Sequence, residues 1–121
     1  MAPVPASVAQ ARRFVRVRLD ELAVPEPPLE DAVLLTSELV TNALLHAGTD
    51  LEVRLQTNPH RVRVEVHDGD HRLPLAATAA PDATSGRGLL LVRQLANDWG
   101  IDRAATGKSV WFEMTLGTSG T

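Results

Sequence analysis

The segment from Glu38 to Gly48 constrains the fold most, because it places polar side chains on a helix that is otherwise apolar. Residues four apart in a helix share one face, so Glu38, Asn42 and His46 form a narrow stripe. Apolar residues cover most of the remaining surface, and such a helix is buried. A buried carboxylate must be paired, bound to a metal or protonated. Two interpretations are open at this point: satisfied polar groups near one end of a helix, or a binding site.

Length, charge and composition exclude several classes of protein. The 121 residues suit a single domain over 1–121, and the net charge of −3 without a basic stripe argues against nucleic acid. Cysteine is absent, which excludes disulfides and thiolate metal sites. No apolar stretch approaches the ~20 residues that cross a bilayer, and the N-terminus lacks signal-peptide features. We therefore expect a cytoplasmic protein without membrane or nucleic-acid partners.

Local signals predict two helices in the first part of the chain. Ser7 is predicted to cap the first helix. The second begins near Pro28, a residue favoured at the first helical position. Gly48 follows the last periodic residue, where a C-terminal cap belongs.

An antiparallel hairpin is predicted next, and its second strand ends with a carboxylate. Alternating apolar residues mark strands at 51–57 and 61–68, with a turn between them. Asp68 is in phase with the three valines of the second strand, so it should emerge on the core face, whereas His67 should point away. A carboxylate at that position suggests a ligand. A metal site between His67 and His71 is the alternative, and the strand alternation argues against it.

The rest of the chain is predicted to contain a long loop, a helix and two strands. Residues 69–85 have no periodicity, and a loop of this length is usually functional or disordered. The helix that follows opens with two glycines, a pattern that suits a phosphate but also a plain loop-to-helix junction. Strands are predicted at 99–103 and 109–116, with a turn at 106–108. This order favours an α+β two-layer sandwich, with a mixed, mostly antiparallel sheet and helices on one face.

Four short motifs resemble the Bergerat-type, or histidine kinase-like, ATP-binding fold in their order and spacing. The chain is most similar to small anti-sigma factor serine/threonine kinases, over a region from about Ser7 to Met114. The motifs are Glu38-x-x-x-Asn42, Asp68-Gly69, Gly86-Arg87-Gly88-Leu89 and Gly107-Lys108-Ser109-Val110-Trp111-Phe112.

The resemblance implies ATP and Mg²⁺ as cofactors and assigns a role to each motif. Asn42 would hold Mg²⁺ through its side-chain oxygen. Glu38 would act as general base, orienting a water or an incoming serine hydroxyl towards the γ-phosphate. Asp68 would accept a hydrogen bond from the adenine amino group, with Gly69 beside it.

The remaining implied contacts lie further along the chain. Ser109 stands where the family often has a threonine beside the nucleotide, and the loop before the two glycines would be a lid over ATP. The phosphates would be contacted by Gly86, Arg87, Gly88 and Leu89.

Two functions from different classes follow from the resemblance. The first is a kinase that transfers the γ-phosphate of ATP to a serine or threonine of an antagonist protein and so controls a sigma factor. The second is a non-catalytic, nucleotide-responsive module that sequesters a sigma factor or another regulator. The intact Glu38 and Asn42 favour the kinase. Asp70, where the family often has glycine, and the lack of a clear cationic clamp before Gly86 favour the module. The resemblance also implies a homodimer.

Overall fold

The computed structural model describes residues 1–70, 92 and 94–116, apart from the side chain of His46. Neighbouring strands of its four-stranded sheet pair antiparallel in the order β1-β2-β4-β3. The predicted lid and glycine-rich turn lie outside the described residues, and residues 92, 94 and 95 are helical. The helices and strands named here are α1 (Ala6–Glu21), α2 (Pro28–His46), β1 (Leu51–Thr57), β2 (Arg61–Asp68), β3 (Asp98–Ala104) and β4 (Gly107–Thr115).

The helix α1 begins two residues earlier than predicted, and Ser7 does not cap it. Pro5 stands at the N-cap, with helical φ and ψ of −55° and −33° and no side-chain hydrogen bond. Ser7 lies inside the first turn, where its hydroxyl donates to the Ala2 carbonyl at 2.6 Å. Proline has no backbone N–H that needs a partner, and its ring fixes φ near the helical value. The helix therefore begins there instead.

The helix α2 confirms the predicted start and end. Pro28 is its first residue, with Glu30 and Asp31 in the first turn, where carboxylates favour the helix dipole. Beyond the helix, Gly48 has a φ of +66°, the left-handed conformation that glycine adopts without strain. Among the described residues, no helix is both long enough and apolar enough to cross a membrane.

The apolar character of α2 follows from its place between two neighbours. It packs against α1 on one side and against β2 and β4 on the other. Its core residues therefore occupy most of the helix surface, and the predicted two-layer α+β sandwich with helices on one face of the sheet is confirmed. The buried apolar residues of α2 are Leu29, Ala32, Val33, Leu35, Leu39, Val40 and Ala43.

The hairpin of β1 and β2 has the predicted bounds, and its register places Leu51 opposite Asp68. The inner face of β2 carries buried Val62, Val64 and Val66, which oppose the inner-face residues of β4. Each valine is at most 1% exposed. The strand alternation predicted for β2 is confirmed.

The outer face of the sheet carries a polar network. The Arg63 guanidinium donates to Glu65 at 2.8 Å and to Glu113 at 3.1 Å, and lies 4.0 Å from the centre of the Trp111 ring. Burial disfavours its charged form, but the hydrogen bonds with these two carboxylates outweigh burial and raise the pKa of Arg63. The apolar core of the described residues therefore lies on the inner face alone.

The strand β4 begins at Gly107, two residues before its predicted start, and this brings it close to the end of β2. A Cβ atom at Gly107 would lie 1.9 Å from the Asp68 carbonyl oxygen, and its φ is +137°. Only glycine fits such an approach. The turn occupies residues 105–106, so Lys108 lies within the strand and opposite Asp68.

Candidate functional site

A small cavity of about 20 Å³ lies between α2 and the inner face of the sheet. That volume suits about one water molecule. The polar atoms at its wall come from one residue on each of three elements: α2, β2 and β4. Its lining consists of Leu39, Asn42, Ala43, Val66, Asp68, Lys108 and Val110.

Asp68 reaches this cavity from the end of β2, as its phase predicts, and is only 2% exposed. One carboxylate oxygen, Oδ1, accepts two hydrogen bonds. The Asp70 backbone N–H donates at 2.8 Å and the Lys108 ammonium at 2.9 Å. Among the described residues no donor reaches Oδ2, so half of the carboxylate is free to accept a hydrogen bond from a ligand.

Lys108 is a member of the site that the sequence analysis missed. Its side chain is buried, and its ammonium donates to the Asp70 carbonyl at 3.1 Å as well as to Asp68. Lys108 was predicted to lie in a turn at 106–108, so it was assigned to neither face of a strand. The signal was available, because Lys108 is in phase with Val110 and Phe112 on the inner face of the same strand.

Asn42 supplies a hydrogen-bond acceptor to which no described residue donates. It is 8% exposed, and its buried Oδ1 has no hydrogen-bond partner among the described residues. Helical spacing places Asn42 beside Leu39 and Ala43 on the face of α2 that lines the cavity. Leaving a buried acceptor unpaired costs about 1–3 kcal/mol, and a hard cation takes oxygen ligands of this kind. The residue therefore fits the Mg²⁺-binding role that the resemblance implies.

Glu38 lies one turn before Asn42 on α2 and is half-buried. It does not line the cavity, and no described residue forms a hydrogen bond or an ion pair with it. Because the carboxylate is only half-buried, water can solvate it in place of a protein partner. Its oxygens are therefore open to an incoming hydroxyl group.

Ser109 is not brought to the cavity. Successive side chains in a strand point to opposite faces, so Ser109 lies on the outer face when Lys108 lies on the inner one. Its hydroxyl is 3.0 Å from His67 Nδ1, and His67 Nε2 is 3.3 Å from the Thr106 hydroxyl. Of these two neighbouring residues, Lys108 is the one that lines the cavity. The outward direction predicted for His67 is confirmed.

Gly69 directly follows Asp68 but does not line the cavity, and its backbone N–H donates to the Thr49 hydroxyl at 2.8 Å. His71 lies outside the described residues. Within the described part of the chain, no group of three or more His, Asp or Glu residues could hold a metal ion. The predicted phosphate-contacting residues, Gly86, Arg87, Gly88 and Leu89, also lie outside it.

Comparison with known proteins identifies the family. The structure is similar to the histidine kinase domain of the blue-light activated histidine kinase from Erythrobacter litoralis EL346, with 27% identity and a TM-score of 0.54. The match covers 73% of this chain and 44% of that one. A search of the curated proteins finds no match. The family model of the histidine kinase-like ATPase domain matches residues 1–114, and the chain therefore belongs to that family.

Proposed function

We propose that the protein is an ATP-dependent serine/threonine kinase that phosphorylates an antagonist protein in the cytoplasm and so controls a sigma factor. One observation carries the proposal. Asp68, with a free carboxylate oxygen, and Asn42, with an orphaned amide oxygen, face the same cavity between α2 and the sheet. The cavity itself holds about one water molecule, so an adenine base and a phosphate-bound cation would reach these two acceptors from its opening.

Asp68 supports a preference for adenine. Its Oδ2 is free to accept a hydrogen bond from the amino group at position 6 of the base. Guanine carries a carbonyl oxygen there, which would face the carboxylate as a second acceptor. Opposed acceptors reject the wrong base by repulsion.

Asn42 supports Mg²⁺ binding through its unpaired Oδ1. Asn42 would hold the ion, and the chemistry that Mg²⁺ would supply there is neutralisation of negative charge on the phosphates. Asn42 holds its acceptor on a packed helix, so the residue contributes orientation as well as a ligand.

Glu38 supports catalysis as the general base. It lies within one helical turn of Asn42, and its half-buried carboxylate has no described partner. A serine or threonine hydroxyl from another protein can therefore approach it. The carboxylate would accept the hydroxyl proton as the oxygen attacks the γ-phosphorus, and ADP would leave with the bridging oxygen as its bond to that phosphorus breaks.

The test replaces Glu38 by glutamine, which keeps the shape but removes the proton acceptor. Phosphoryl transfer from labelled ATP to candidate antagonists encoded by neighbouring genes should fall by ~10²–10⁴-fold, the usual share of a general base. ATP affinity measured by calorimetry should be retained. Glu30→Gln is the matched control, because Glu30 lies on the same helix but pairs with Arg16 on the surface. Its activity should match that of the wild type.

A non-catalytic binding module is the second candidate. The backbone after Asp68 is already engaged: Gly69 donates to Thr49, and Asp70 bonds with both Asp68 and Lys108. A nucleotide-responsive module would show negligible turnover in the wild type, and Glu38→Gln would leave partner binding unchanged. If Glu38→Gln unfolds the domain or eliminates ATP binding, Glu38 is a structural carboxylate instead.

A further inference from the structure

We propose that Lys108 is the positioning residue that sets adenine selectivity. By holding Asp68 through Oδ1 alone, it leaves Oδ2 free for the amino group of the base. This inference rests on the proposed function, since it concerns the same site. It assigns a role to a residue that the resemblance left without one.

The donors divide unequally between the two carboxylate oxygens of Asp68. The Lys108 ammonium and the Asp70 backbone N–H both reach Oδ1, at 2.9 and 2.8 Å. Two donors on one oxygen fix the rotation of the carboxylate. Because Asp68 lines the cavity and no described donor reaches Oδ2, that oxygen is left for a ligand.

The cation that pairs with Asp68 is a lysine and not an arginine. Lys108 is the only lysine in a chain that otherwise uses arginine. An arginine fork tends to engage both oxygens of a carboxylate, whereas a lysine ammonium acts as a point charge that one oxygen can satisfy. At this position a lysine holds Asp68 without covering both acceptors.

The pairing of the two strands brings Lys108 to Asp68. Lys108 lies directly opposite Asp68 in the β2–β4 register, and Gly107 allows the close approach of the strands. The ammonium also donates to the Asp70 carbonyl at 3.1 Å, which ties down the backbone that follows β2. Lys108 therefore orients the Asp68 carboxylate directly. It also holds the backbone of Asp70, whose N–H donates to the same Oδ1 of Asp68.

The test compares two nucleotides that differ only in the amino group: ATP and purine riboside triphosphate. Calorimetry with Mg²⁺ should show that the wild type prefers ATP by about 10- to 100-fold, the range for a hydrogen bond to a charged group. In Lys108→Met this preference should fall to less than about threefold, with purine riboside triphosphate affinity nearly unchanged. Lys108→Arg should also lose the preference, since its fork covers both oxygens.

Chemical rescue separates positioning from folding. The chain has no cysteine, so Lys108→Cys introduces its only thiol. Alkylation in denaturant with bromoethylamine, followed by refolding, restores an ammonium at nearly the length of lysine. Alkylation with a propyl group gives a neutral side chain of the same length as the matched control. The aminoethylated protein should recover the preference for ATP, and the propylated protein should not.

Several outcomes would overturn the inference. Tighter ATP binding by Lys108→Met would mean that the lysine competes with adenine. If Lys108→Met lost affinity equally for both nucleotides, Lys108 would have a purely structural role. The same would follow if both alkyl groups restored the preference for ATP equally. If the wild type prefers ATP and Lys108→Met keeps that preference, Lys108 does not set the selectivity, while the proposed function stands. When the wild type binds neither nucleotide, the proposed function fails and the inference falls with it.

Discussion

At the scale of single residues, Asp68 has to be both a structural counter-charge and a ligand acceptor. Its Oδ1 pairs with the buried Lys108 ammonium, and its Oδ2 is left free of described donors. A buried charge needs such a partner, because desolvation of a lone ion is costly. The two roles can therefore be separated by changing one or both members of the pair.

Asp68→Asn should lose stability as well as adenine binding. Removing one partner of a buried ion pair typically costs about 3–5 kcal/mol, because the other charge stays buried. Urea denaturation should show a fall of that size in the free energy of unfolding. Asp68→Asn combined with Lys108→Met should recover most of this stability but not the adenine binding. If Asp68→Asn alone were as stable as the wild type, the ion pair would not be buried in solution.

Asn42→Ala should abolish the Mg²⁺ dependence of ATP binding, because its orphaned Oδ1 is the candidate cation ligand on α2. Nucleotide titrations with Mg²⁺ and with a chelator would measure this dependence. Thr36→Ala is the matched control, because the Thr36 hydroxyl on the same helix is buried but bonded to the Ala32 carbonyl. Full Mg²⁺ dependence in Asn42→Ala would contradict the assignment.

At the scale of elements, the contact between β2 and β4 decides which side chains reach the cavity. Their register places Lys108 opposite Asp68 and Ser109 opposite His67. The helix α2 contributes the third side of the site, because its spacing turns Asn42 towards these strands. The site therefore depends on two strand ends and one helix face being held at fixed distances.

Gly107→Ala should disrupt this contact. The added Cβ would lie 1.9 Å from the Asp68 carbonyl oxygen, so the strands must separate. Overpacking typically costs about 1–3 kcal/mol, and the left-handed φ adds strain. Thermal or urea unfolding should show the loss of stability, and calorimetry should show weaker ATP binding. Gly48→Ala is the control, since Gly48 also has positive φ but nothing within 4 Å of its added Cβ. If both variants weakened ATP binding equally, the contact between Gly107 and Asp68 would not be the cause of the weaker binding.

At the scale of the whole molecule, a single small core carries both stability and the site. The helix α2 packs against α1 and the sheet at once, and the cavity lies within that packing. A ligand bound there would be linked to the folding of the whole described core.

ATP with Mg²⁺ should therefore raise the melting temperature. At a concentration of 100 times Kd, a ligand that binds only the folded state stabilises it by about 2.7 kcal/mol. For a domain of this size that corresponds to a rise of several degrees, on the order of 10 °C. Scanning fluorimetry would measure it. GTP at the same concentration should give a smaller rise, and an equal rise would contradict the adenine role of Asp68.

Much of the fold could be predicted from the sequence, because the signals involved are local. Alternation over β1 and β2 was enough to set the bounds of both strands and to direct Asp68 inwards and His67 outwards. The apolar periodicity of α2 predicted its burial, and Pro28 and Gly48 marked its ends. Each of these signals depends on residues within a few positions of one another in the chain.

The composition of the site was decided by the tertiary structure. The start of β4 depends on its pairing with β2, about forty residues away, and on the Gly107 contact with the Asp68 backbone. That pairing made Lys108, rather than Ser109, the partner of Asp68. The unpaired state of Asn42 Oδ1 likewise depends on what lies opposite it in space. A sequence pattern specifies which face a side chain occupies within its element, but only packing determines which faces meet.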